Sequence, residues 1–215
     1  MNEKFITISG IDGAGKSTQL NLIKEYFEKN GKSVIYLWSR GGSTSGINIL
    51  KALIRKLAGK KLPPPGHSVK RDQMLDKVWI QRVWLILAIL DLLRIYSIAL
   101  RWGLFRGKVV ICDRYLWDTL IDFKIMFPNM DVKNWLLWKI LVRCTPVPEK
   151  AILLMIPLTL SEKRCLQKYD PFPDTPERRK ERYELYGTIS KLKHWDVIDS
   201  NRSIAVVFED IMNDG

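Results

Sequence analysis

Apolar residues fall in short clustered runs that alternate with helically spaced ones. Phe5-Ile-Thr-Ile8 is a β-branched run ended by glycines. Leu20, Ile23 and Phe27 follow at helical spacing, and Gly31 supplies a stop. Ser33-Val-Ile-Tyr-Leu-Trp38 reads as a second buried strand, with further strands at Lys108–Cys112 and Ala151–Met155. Trp195–Ile198 is a shorter, weaker one. Strands alternating with helices predict parallel strands joined by right-handed crossovers, a three-layer α/β fold. Neither repeats nor low-complexity tails interrupt that order, so residues 1–215 read as a single domain.

Two proline-rich stretches punctuate it. Lys61-Leu-Pro-Pro-Pro-Gly-His67 breaks any helix running from Ile47 to Ala58, because prolines remove donors and fix φ. Asp170-Pro-Phe-Pro-Asp-Thr-Pro176 lies inside a charged helical region, and Thr175 before Pro176 is a helix-start signal. Between them the chain carries its most apolar stretch, residues 78–105. Val83 to Leu90 is uninterrupted, then Asp91, Arg94 and Arg101 intervene. Counted as uninterrupted residues, no run approaches the roughly 18 expected of a bilayer span. The expected role is a core helix whose first half is also covered by a neighbouring subunit. Trp79, Trp84 and Trp102 leave peripheral membrane contact as a lesser alternative.

Charge changes the picture more than composition does. The 35 Lys+Arg and 23 Asp+Glu give a net charge of +12, an attraction to anions that does not name the anion. Residues 51–77 hold eight basic side chains against Asp72 and Asp76, so this insertion-like segment carries +6, half of the excess. Cys112, Cys144 and Cys165 lack a paired spacing and read as reduced thiols. Met1 to Phe5 lacks the apolar region of an export signal, so a cytoplasmic location is expected.

The chemistry sits first in Gly10-Ile-Asp12-Gly13-Ala14-Gly15-Lys16-Ser17-Thr18, which fits GxxxxGK[ST] between a strand and a helix. Glycines let backbone N–H groups turn inward around phosphate oxygens, and the helix N-terminus adds its dipole. Lys16 can reach the β- and γ-phosphates, and Ser17 can offer its hydroxyl to Mg²⁺. Val109-Val-Ile-Cys-Asp113 delivers a carboxylate at a strand end, suited to organising Mg²⁺, and Arg114 can hold an anionic substrate. Arg164 and Lys168, one helical turn apart, lie in a basic segment over 160–182. There a lid would supply charge stabilisation and exclude water.

These elements, in this order, resemble the thymidylate kinase family of nucleoside monophosphate kinases. The resemblance runs through Phe5–Leu20, Cys112-Asp-Arg-Tyr115, Leu160–Lys168 and His194–Ser203. It implies a P-loop kinase fold with a five-stranded parallel sheet, flanking helices and a helical lid. It also implies a homodimer that moves the γ-phosphate of ATP, with Mg²⁺, onto thymidylate. By the same resemblance Asp12 would accept from the acceptor's sugar hydroxyl, and Arg114 would bind its phosphate with Arg40 as helper. Ala14 leaves no arginine in the loop, so the phosphoryl-stabilising cations would be Arg164 and Lys168. The match departs in the long helix: Leu92 stands where an arginine reads the thymine edge, and Ala88 where a phenylalanine stacks on the base. Arg94 and Trp84 are possible substitutes in a shifted register. Three readings stay open: a thymidylate kinase, a related kinase of another phosphorylated acceptor, or a nucleotide-dependent module on nucleic acid or membrane.

Overall fold

The computed structural model describes residues 4–38, 77–167, 174–192 and 194–213. Five strands are formed: β1 (Phe5–Gly10), β2 (Val34–Trp38), β3 (Val109–Asp113), β4 (Lys150–Met155) and β5 (Asp196–Asp199). Every pairing is parallel, and the order across the sheet is β2-β3-β1-β4-β5. Seven helices accompany them among the described residues. They are α1 (Lys16–Lys29), α2 (Val78–Phe105), α3 (Leu116–Met126), α4 (Leu136–Cys144), α5 (Leu158–Leu166), α6 (Pro176–Ile189) and α7 (Ile204–Met212). The expected three-layer α/β kinase fold is therefore present.

Alternation along the strands sorts the core into two halves, since successive side chains point to opposite faces. Ile6, Ile8, Val109 and Ile111 pack with Leu20 and Ile23 of α1 and Val207 and Ile211 of α7. Phe5, Val110 and Cys112 pack on the other face with Leu85, Ala88, Ile89 and Leu92 of α2 and Trp138 and Leu141 of α4. The strand β4 is apolar and buried over almost its whole length, as a central parallel strand must be.

Helix α2 corrects one expectation. Its length of 28 residues and a mean hydropathy of 2.1 over an 18-residue window make it, by length and composition alone, long and apolar enough to cross a membrane. Counting uninterrupted residues missed this, because isolated charges break a run while barely lowering its mean. Its buried residues nonetheless pack on the sheet, and Gly103 lets the last turn approach Ile35 and Val110 closely. Over Leu93–Leu100 the winding widens to a π-helix, and Tyr96 and Leu100 stay buried. Two cations of this helix are held by nearby groups. Arg94 pairs with Asp91 at 2.9 Å, and Arg101 donates to the Cys144 carbonyl of α4 at 2.9 and 3.2 Å. The basic segment 51–77, except Lys77, lies outside the described residues, as does Arg40.

Strand register brings the carboxyl ends of β2, β3 and β1 together: Trp38 pairs with Asp113, and Ile8 with Asp113. Ligands of open α/β sheets bind at this edge. Gly10 ends β1 there at φ 140°, and a Cβ on it would collide with the Leu154 carbonyl of β4. Gly10→Ala is expected to destabilise the fold by at least about 2 kcal/mol, read by denaturant unfolding. Wild-type stability in that variant would show that β1 and β4 can separate at this point.

Candidate phosphate-transfer site

At the carboxyl edge the loop from Gly10 to Gly15 turns into α1. Gly15 takes φ 84° immediately before Lys16, a handedness that suits glycine. A cleft of about 580 Å³ opens over this loop and gathers Asp12, Lys16, Ser17, Asp113, Arg114 and Arg164. Gly13, Ala14, Gly15 and Thr18 line it as well. Gly10 instead sits behind, in the sheet. Lys168 lies outside the described residues.

The cations arrive from three elements. Lys16, at the first turn of α1, is buried; its Nζ donates to the Ile11 carbonyl at 2.8 Å and stands 3.7 Å from Asp12. Burial, then repulsion from Arg114, lowers its pKa from 10.5 to about 8, against opposing attraction from Asp12, Asp113 and Asp118. Arg114 follows β3 with its backbone in the left-handed region, φ 71°, while its N–H donates to the Ile8 carbonyl at 3.0 Å. Its Nη2 donates to Asp12 at 2.7 Å and its Nη1 to the Tyr186 hydroxyl at 2.9 Å. Burial alone would lower the Arg114 pKa, but Tyr186, Asp12 and Asp118 outweigh it and raise it. Arg164, on α5, donates to the Gly13 carbonyl at 3.0 Å, and Ser161 Oγ donates to the Asp12 carbonyl at 2.6 Å. The basic helix α5 is thus hydrogen-bonded onto the phosphate loop.

Asp113 supplies the anionic counterpart. Its Oδ2 accepts from the Tyr36 hydroxyl at 3.0 Å, while its buried Oδ1 has no hydrogen-bond partner among the described residues. An orphaned carboxylate oxygen of a residue that lines the same cleft as the exposed Ser17 suits a Mg²⁺ ion or its water. No group of three or more His, Cys, Asp or Glu gathers among the described residues, so a dedicated all-protein metal cage is absent there. A Mg²⁺ that keeps waters and phosphate oxygens as its other ligands needs none.

Several residues of the site were not anticipated from sequence. Asp118 is fully buried: Oδ2 accepts from Ser9 Oγ at 2.6 Å and from the Tyr115 N–H at 2.9 Å, and Oδ1 accepts from the Tyr186 hydroxyl. In the first turn of α3, Asp118 takes the N–H of Tyr115 just before the helix, as the acidic member of a capping box does. Nothing local could have linked Asp118 to Tyr186, 68 positions on. The positions expected to meet a base behave differently. Ala88 and Leu92 are fully buried in the core, and Trp84 packs against Phe123 and Phe127 at ring distances of 6.0 and 5.3 Å. Arg94 is occupied with Asp91. None of these four lines the cleft.

A family model described as thymidylate kinase matches residues 8–61. A "Probable thymidylate kinase" of Pyrococcus abyssi (strain GE5 / Orsay) is 27% identical over 99% of this chain and 95% of its own length. Its namesake in Pyrococcus horikoshii is 28% identical with the same coverage. A "Thymidylate kinase" of Pelotomaculum thermopropionicum is 32% identical over 56% of this chain and 47% of its own length. The phosphate loop, the Asp-Arg strand end and these similarities agree, and the chain is an enzyme related to the thymidylate kinases, which are nucleoside monophosphate kinases.

Proposed function

We propose that the protein transfers the γ-phosphoryl group of ATP to a nucleoside monophosphate, thymidylate being the acceptor its relatives' names favour. The observation that carries this is the convergence of Lys16, Arg114 and Arg164 with the unpaired oxygen of Asp113 on one cleft over the phosphate loop. Lys16 would hold the β- and γ-phosphates, Arg114 the acceptor phosphate, and Arg164 the transferring group, with Lys168 as a second lid cation. Gly13, Ala14, Gly15 and Thr18 would surround the donor phosphates. Asp12 would accept from the acceptor's sugar hydroxyl. Ser17 and Asp113 would hold Mg²⁺, which when bound neutralises charge on the donor phosphates. Phosphoryl transfer passes through a loose transition state, so positioning and charge neutralisation by these side chains supply the catalysis.

Burial of Ala88 and Leu92 favours a second reading, a kinase of the same design acting on a different phosphorylated acceptor. ADP release measured across a panel of nucleoside monophosphates decides between them, thymidylate turnover supporting the first and its absence the second. Lys16→Ala is expected to lower kcat at least about 100-fold without unfolding the protein; retained turnover would sink both readings.

The lowered pKa of Lys16 sets a pH dependence. Below about pH 8 the amine is a cation ready for phosphate; above it the proton is lost before binding. Affinity for tripolyphosphate is expected to be flat below pH 8 and to fall by up to about tenfold per pH unit above it, with proton uptake in calorimetry. A flat profile to pH 9.5 would place the titration elsewhere.

The same reading includes a homodimer. Trp79, Val83, Ile86 and Leu90 form an exposed apolar stripe along α2, at 64, 47, 40 and 47% exposure, at helical spacing. Sedimentation is expected to give twice the 25.0 kDa chain mass for wild type and the single mass for Ile86→Asp/Leu90→Asp. A monomeric wild type that binds anionic liposomes would favour the membrane instead. The three cysteines are free.

A further inference from the structure

Helices α3 and α6 meet through a two-rung polar ladder. On α3, Asp118 and Asp122 are one turn apart and buried; on α6, Arg182 and Tyr186 are one turn apart and buried. Arg182 donates to Asp122 at 2.5 Å and to Asp174 at 2.9 Å, and Tyr186 donates its hydroxyl to Asp118. The first rung joins the two helices and the turn that enters α6. The second reaches further, because the Tyr186 hydroxyl also accepts from Arg114 Nη1.

We propose that Tyr186 is a positioning residue for Arg114, fixing the guanidinium from its buried side so that it meets an acceptor phosphate at the cleft. This rests on the reading of Arg114 as the acceptor-phosphate ligand. Three observations support it. Arg114 holds a left-handed backbone without being glycine, so side-chain contacts must over-determine its conformation. Its cleft-side contact, Asp12, is partly exposed and lies on a loop, whereas Tyr186 is fully buried on a helix. Asp118, which orients the Tyr186 hydroxyl, is itself fixed by Ser9 of β1 and by the Tyr115 N–H. The chain Ser9–Asp118–Tyr186–Arg114 therefore refers the guanidinium to the centre of the sheet. Burial, with the Asp118 charge next, raises the Tyr186 pKa and keeps the hydroxyl protonated, so it remains both donor and acceptor.

Tyr186→Phe keeps the ring and deletes only the hydroxyl. The test uses the nucleoside monophosphate that wild type turns over best. The variant is expected to raise the KM for that acceptor five- to twentyfold while leaving the KM for ATP within twofold. Combined with Arg114→Lys, its effect on acceptor KM is expected to be much less than multiplicative, since both act on one contact. A merely structural role would shift both substrates alike and multiply with Arg114→Lys. Should circular dichroism show that Tyr186→Phe does not fold, Ser9→Ala loosens Asp118 from the far side and is expected to raise acceptor KM two- to fivefold. Acceptor KM unchanged in the folded variant, or a parallel rise for ATP, overturns the positioning role alone. Absence of turnover by wild type with every nucleoside monophosphate overturns the reading as a nucleoside monophosphate kinase, and this inference with it.

Discussion

A charged guanidinium, 3% exposed, sits where β3, next to the central strand, gives way to the cleft, and the site is arranged around keeping it there. Burying such a group unpaired would cost several kcal/mol, so Arg114 must be surrounded by acceptors. They come from the phosphate loop (Asp12), from α3 (Asp118) and from α6 (Tyr186). Three segments far apart in sequence are thus obliged to meet at one point. The position of α6 and the conformation of the loop both follow from that demand.

The second tie runs through α5. Ser161 and Arg164 take the carbonyls of Asp12 and Gly13, so two peptide planes of the loop are oriented by the basic helix above it. Lys16 takes the carbonyl of Ile11. Three successive carbonyls of the loop are accordingly committed to side chains. In a trans peptide the N–H points opposite to its own carbonyl, so the orientation of the loop's donors follows from these contacts.

Much of this was legible in the chain because it is local. The five strands, the glycine loop and Asp113-Arg114 depend on residues within a few positions of one another, and periodicity or spacing reports them. Thr175 likewise caps α6 by accepting from the Arg178 N–H, as its place before Pro176 indicated. The buried polar network was not legible. Asp118 and Asp122 look like an ordinary polar pair on a helix, and Arg182 is one basic residue among several in a charged run. Only the sheet order, which sets α3 beside α6, turns them into partners. The long helix misled for a different reason. Asp91, Arg94 and Arg101 interrupt its apolar run, whereas an 18-residue window of it still averages 2.1 in hydropathy.

The glycines of the phosphate loop report three different things. Gly10 is required by the neighbouring strand, whose Leu154 carbonyl leaves no room for a side chain. Gly13 is flanked by Ser161 and Arg164 of α5, which a Cβ would touch at 3.2 and 3.3 Å. Gly15 has open space and only its backbone handedness to satisfy. A descendant that lost phosphate chemistry would therefore still carry Gly10, and one that lost only α5 would be released at Gly13 from crowding but not from its φ of 82°. The fingerprint that announces a nucleotide site is thus, in part, a record of how tightly two strands lie together.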